Sequence, residues 1–167
     1  MKLAENMKIV PVAKALDVSS GATNAGDSIN MKNFHHATFI VLTGTMGGAD
    51  THVKVNSGAT AGAATSALTF NYAFGGAAVG TAVAGSTASC DVLAATASSA
   101  DLSITHGTYD DWMLVVEVDA SKMDIANGEE WLTISFDDDD GGATGTLDCV
   151  AILEPRYSSN RSITCLA

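Results

Sequence analysis

Apolar and polar positions alternate most clearly over residues 108–136, TYDDWMLVVEVDASKMDIANGEEWLTISF. Trp112, Leu114, Val116 and Val118 share one face, while the other face changes from Met113 and Val115 to Glu117 and Asp119. A period of two with one face turning polar predicts a strand leaving a core. Asp119 is placed to accept backbone N–H bonds of a following helical turn through Ser121, Lys122 and Met123. Asn127-Gly128 then supplies a turn before Trp131. Leu132, Ile134 and Phe136 form the inward set of a second strand, which a charged, glycine-ended loop over 137–142 closes.

The same reading finds strands elsewhere. Residues 7–13 form a short apolar run broken by Pro11, which fits an edge strand or an extended arm. Residues 37–43, ATFIVLT, are apolar on both faces and β-branched, as in a central strand. His52, Val53, Lys54 and Val55 alternate, as do Leu68, Phe70 and Tyr72 against Thr69 and Asn71. Residues 89–94 and 102–105 predict two short strands, and 147–154 a last one with Leu147, Cys149, Ala151 and Leu153 on one side. The small-residue stretches SGATAGAATSA and GGAAVGTAVAGSTAS read as ordered loops or weak strands. No amphipathic helix exceeds one or two turns. About eight short strands spaced by glycine-bearing loops predict an all-β fold, an antiparallel β-sandwich of the jelly-roll kind. Residues 1–17 form an N-terminal arm or edge strand, 18–156 a single β-sandwich domain, and 157–167 a C-terminal tail.

At 167 residues the chain can bury roughly 70% of the surface that its unfolded form exposes, so it needs no staple. Its formal net charge of -11, with only 8 basic residues, argues against nucleic-acid binding, which needs clustered Lys and Arg. The same charge repels anionic lipid, and no apolar run approaches the roughly 18 residues of a membrane span. Lys8, Pro11 and Lys14 interrupt any secretory h-region, which predicts a chain made in a cytoplasm. Cys90, Cys149 and Cys165 are odd in number and lack CxxC spacing, so free buried thiols are expected rather than a disulfide or a zinc site.

Candidate chemistry is sparse. Asp137, Asp138, Asp139 and Asp140, followed by Gly141, offer the hard oxygen ligands that Ca²⁺ prefers. The EF-hand register fails, because Phe136 stands at the first ligand position and no glutamate stands six residues after the glycine. A solvated hairpin loop is the simpler expectation. His35 and His36 are neighbours on a strand and point to opposite faces. His106 with Asp110 or Asp111 would need a concave pocket to do acid–base work. Gly75-Gly76 and Gly141-Gly142 read as turn glycines. Trp112, Trp131 and Tyr157 are candidates for a sugar-stacking platform, though core or interface packing is commoner for such residues. Asn160-Arg161-Ser162 matches a glycosylation sequon. No catalytic residue, cofactor or resident metal is assigned, and no enzymatic activity is expected.

Residues 29–44 (INMKNFHHATFIVLTG), 84–95 (AGSTASCDVLAA), 109–136 and 147–157 (LDCVAILEPRY) together resemble small virion structural proteins of tailed bacteriophages. The likeness covers most of the chain. It lies in the order of elements: Ile29, Met31, Phe34 and Ala37 at a strand entry, a small-residue centre, the turn from Glu117 through Asp119 and Met123 to Asp124, and Glu154-Pro155-Arg156-Tyr157 closing an aliphatic strand. The resemblance implies a β-sandwich decoration (cement), minor capsid or head-fibre protein. The implied location is the virion, on the capsid's outer surface, with the major capsid protein and further copies of this chain, in trimers, as partners. Residues 1–17 are the first candidate for strand addition to a neighbour, and 157–167 the second. A head-fibre base, head-tail joining or tail protein is the alternative within the virion. A Ca²⁺-dependent glycan-binding module using the 137–140 loop is the alternative outside it.

Overall fold

The structure, a computed structural model, describes residues 3–19, 23–79, 89–138 and 141–166. Its strands are β1 (Lys8–Asp17), β2 (Thr23–Ala25), β3 (Ile29–Asn30), β4 (Phe34–Thr43), β5 (Thr51–Gly58), β6 (Ser66–Ala67), β7 (Phe70–Phe74), β8 (Ala97–Ser99), β9 (Asp101–Ile104), β10 (Met113–Asp119), β11 (Trp131–Asp137) and β12 (Thr146–Pro155). One sheet, A, runs β1-β12-β4-β10-β7-β8; the other, B, runs β2-β11-β5-β6, with β3 also on β11 and β9 also on β5. All the pairings are antiparallel.

The nesting of pairs defines the wind. The first strand pairs with the last, β1 with β12; β2 and β3 pair with β11, β4 with β10, and β5 with β9. Four nested pairs laid alternately into two sheets are the jelly roll expected from the strand count. The extra segments are β6, which continues the β5 edge beyond β9, and β7 and β8, which widen sheet A. The sandwich fills with the residues that the period-two pattern put inward. Phe39, Val41, Leu114, Val116, Cys149 and Ala151 from sheet A meet Val53, Val55, Leu132, Ile134 and Phe136 from sheet B, all 0% exposed.

Local chemistry fixes the ends of the 108–136 segment. Asp119 Oδ1 accepts the Ser121 backbone N–H at 2.8 Å and caps a 3-10 turn, Ala120–Lys122. A second turn, Ile125–Asn127, is stopped by Gly128 in the left-handed region at φ 77°.

Two expectations change. The strands β10 and β11 do not pair with each other; they lie in different sheets, as do β11 and β12, so the 137–142 loop crosses between sheets rather than closing a hairpin. Residues 89–94 form a turn with a single bridge, Leu93 to Gly75, because Ser, Cys and Asp start a turn there rather than a ladder. The Ala/Gly-rich stretch falls partly on 80–88, outside the described residues. Of the two forms expected for the N-terminal segment, arm or edge strand, its described residues take the second from Lys8 onward, as a strand of sheet A. The tail returns through a Leu166–Ile29 bridge and the Asn30 N–H, which donates to the Cys165 carbonyl at 2.8 Å.

Candidate interaction surface

The outer face of sheet B is polar and internally paired. His52, Lys54 and Asn56 of β5 stand beside Thr133, Ser135 and Asp137 of β11 and Asp101 and Ser103 of β9. Lys54 Nζ lies 3.1 Å from Asp137 Oδ2 and 3.7 Å from Asp101 Oδ2, and His52 Nδ1 lies 2.8 Å from Asp101 Oδ1. The Ser28 and Thr133 hydroxyls bond at 2.7 Å, and the Gly62 N–H donates to Ser28 Oγ at 2.9 Å.

The outer face of sheet A is the opposite. Register places Pro11, Val150, Ile40, Val115 and Ala73 in one row across β1, β12, β4, β10 and β7. Ile9 and Ile152 pair on one side of this row, and Leu42 and Met113 on the other. Val150 in the row is 37% exposed, and Ile9 and Leu42 beside it 45% and 43%, while Ala73 at the β7 end is buried at 6%; among the described residues the row is thus partly open to water from β1 to β10 and closed at β7. Inter-strand spacings of about 4.8 Å and rises of about 3.3 Å per residue make the open part, from β1 to β10, roughly 14 by 13 Å. Side-chain breadth brings it to the order of 300 Å², where apolar patches on monomers are often functional.

Beyond the patch, Glu154, His36 and Asp119 form a row at one end, next to Glu117, and Asp148 pairs with Leu42 at the other. His36 Nε2 lies 3.9 Å from Glu117 Oε1. Asp148 Oδ1 accepts the Ala15 N–H at 2.7 Å. The nearby Lys122 turns its Nζ to the Thr69 carbonyl at 3.0 Å.

The residues singled out for chemistry gather mainly at the end of the sandwich that carries the 44–50, 105–112 and 138–145 loops, and there they tie backbone. His106 pairs through Nδ1 with Asp50 Oδ1 at 3.0 Å, not with Asp110 or Asp111. Asp110 Oδ1 instead accepts the Met46 and Gly107 N–H groups, and Asp111 sits at φ 57°. Ser103 Oγ donates to Asp50 Oδ2, so serine and histidine bind opposite oxygens of one carboxylate without the serine–histidine contact that activates a nucleophile. The Ser103 hydroxyl and then His106 hold the Asp50 carboxyl below the ordinary carboxylate range. This lowered pKa adds stability above the unfolded value of about 3.9 and loses it as pH falls through the folded value. Asp50→Asn is accordingly expected to flatten the decline of the unfolding midpoint between about pH 5 and 3, measured by denaturant titration.

Asp137 and Asp138, expected in a solvated loop, are each 7% exposed, while Asp139 and Asp140 lie outside the described residues. Asp138 continues the inward parity of Leu132, Ile134 and Phe136 and falls beside Thr51 across the β5–β11 ladder. Its Oδ2 accepts the Gly142 N–H at 2.8 Å, whereas Asp138 Oδ1, Asp137 Oδ1 and Thr51 Oγ1 have no hydrogen-bond partner among the described residues. Among the described residues, no group of three or more His, Cys, Asp or Glu is arranged to hold a metal. An unpaired buried hydroxyl destabilises, so Thr51→Val, which keeps the shape, is expected to raise unfolding free energy by about 1 kcal/mol in chemical denaturation.

The tryptophans do not meet. Trp112 packs edge-on against Tyr109, which stacks on Phe74 at 4.0 Å, at the end of β4 near Thr43. Trp131 lies near the other end, opposite Gly58 and Asn30, and Tyr157 stands 73% exposed in the tail. Trp131 also lines a cleft of about 250 Å³ with Asn30, Lys32, Asn33, Phe34 and the 163–166 tail.

Cys165 in that cleft is 4% exposed, and burial pushes its thiol up. Burial pushes the Cys149 thiol up to about 12. Iodoacetamide at about pH 8 is therefore expected to label half-buried Cys90 in the folded protein, and Cys149 only after denaturation, as read by peptide mass spectrometry.

One buried group carried no sequence signal. Glu129, 4% exposed, accepts the Ser57 hydroxyl at 2.5 Å and the Ser66 hydroxyl at 3.0 Å, pinning β6 to β5. No protein-family model matches the chain, and no curated protein matches it.

Proposed function

We propose that this chain is a virion structural protein of a tailed bacteriophage, a decoration (cement) protein that binds the outer capsid surface and stabilises the head. The observation that carries the reading is the apolar row across sheet A, which among the described residues stands partly open to water from β1 to β10 while the outer face of sheet B is polar and internally bonded. Water-exposed apolar area of this extent lowers its free energy when a partner removes it from water, at about 25 cal/mol per Å². The sequence resemblance supports the virion, and an acidic chain suits a shell's exterior better than its packaged DNA.

Cementing needs no catalytic step. Several copies clamped across neighbouring capsomers, as a trimer at three-fold positions, make each later contact intramolecular, so modest single-site affinity still resists internal pressure. Shells assembled without this chain are expected to co-sediment with it at a fixed number of copies and to survive higher temperature afterwards. Shells that take up none, or take it up only at the portal or tail, would refute the decoration role.

A further inference from the structure

We propose that the outer face of sheet A docks a protein surface that is apolar at its centre and rimmed by Lys and Arg, rather than a second copy of this chain. It rests on the reading above only in naming the capsid shell as the surface tested.

The row of Pro11, Val150, Ile40 and Val115, with Ile9, Ile152, Leu42 and Met113 beside it, is rigid because every strand beneath it is laddered on both sides except β1. A preformed flat face loses little conformational entropy on docking, unlike a loop that must be ordered. The patch is smaller than the roughly 800 Å² that each partner gives to a stable interface, so the surrounding polar residues must take part. Those residues are mainly acidic: Glu117, Asp119 and Glu154 with His36 at one end, and Asp148 beside exposed Lys14 at the other.

This placement decides between occupants. In a two-fold dimer the same patch faces itself, so a rim of four carboxylates and one lysine would meet the same predominantly acidic rim. The chain's net charge of -11 adds to that repulsion. A partner with an apolar centre and basic rim meets both parts of the face, and its rim would quicken association and make it sensitive to salt.

The free edge of β1 does not offer a competing site for strand addition. Pro11 lacks an N–H, the ladder is irregular between Pro11 and Ala13 and between Ala13 and Leu16, and Ala15 sits at φ 47°.

The test binds the full chain to capsid shells assembled without it and follows free against bound protein by sedimentation. The double variant Ile40→Lys, Val150→Lys is expected to bind about 100-fold more weakly, since it buries unpaired cations at the centre of the contact. Asn56→Lys, on the polar sheet B, should bind within about twofold of wild type. A second double variant, Glu154→Lys with Asp148→Lys, should weaken binding and lose the salt dependence of wild type. Should the double lysine variant melt early, Ile40→Ala with Val150→Ala tests the same centre with no new charge and is expected to bind at least about tenfold more weakly. Wild-type binding that survives the sheet A variants overturns the inference and leaves the decoration reading intact. Wild type that binds no shell removes that reading and the inference with it. A free-chain dimer abolished by the lysine variant would also overturn the inference, by showing a second copy on the face.

Discussion

Phe39→Ala is expected to lower the free energy of unfolding by about 3–5 kcal/mol. Phe39 is 0% exposed on the central strand of sheet A, between Ala151 on β12 and Val116 on β10. Strands paired on both sides cannot close over a missing ring, so the lost contacts leave a cavity instead of relaxing. With total stability typically about 5–15 kcal/mol, the loss consumes a large share of it. Urea titration is the check, as a lower midpoint at unchanged slope. One residue along, Ile40→Ala acts on the outer face and is expected to cost under about 1 kcal/mol, since part of that side chain is already in water. Two neighbours on one strand thus separate what folds the chain from what the chain presents.

Gly48→Ala is the second large effect. Gly48 has φ 78°, and a Cβ there would run into the Gly142 carbonyl oxygen, backbone that cannot rotate away. Next to it Gly47 and Thr144 exchange backbone hydrogen bonds at 2.9 and 2.8 Å, joining the loop after β4 to the loop before β12. Left-handed backbone costs alanine about 1–2 kcal/mol, and displacing Gly142 raises the expected loss to about 3 kcal/mol. Gly62 makes the control, with φ 77° and open space at its Cβ; Gly62→Ala is expected to cost only the backbone strain of about 1–2 kcal/mol. Equal losses at the two sites in thermal unfolding would show that the Gly142 contact does not matter.

Strand identity was legible because each strand's inner face states itself locally. Leu114, Val116 and Val118, or Leu147, Cys149, Ala151 and Leu153, alternate with residues on the outer face, and all of them are buried. Partnership was not legible in the same way. That β10 lies between β4 and β7 while β11 lies in the other sheet depends on register between distant segments, which local pattern does not encode. The loop after β11 was misread for a related reason: four aspartates look solvated, yet Asp138 keeps the inward parity of Phe136 and Asp137 lies against Lys54. Counting parity one residue past the strand would have found it. Glu129 had no such signal, because a buried glutamate between two serines reads like any acidic turn until the chain is folded.

The docking surface was half legible. Residues 37–43 are apolar on both faces, and Met113 and Val115 extend the outer one, a pattern that belongs to strands covered on both sides. In the folded chain the inner face is fully buried, while on the outer one Leu42 is 43% exposed. The other half of the pattern, Ile40, Leu42, Val115 and Val150, is what the proposed docking uses.

Imaging shells with the protein added, by cryo-electron microscopy, tests the central claim most directly. The account predicts density at regular positions on the outer shell with the Ile40 and Val150 face of sheet A turned to the capsid and the Lys54 face of sheet B turned to solvent. A bare shell, or a chain bound through sheet B, would contradict it.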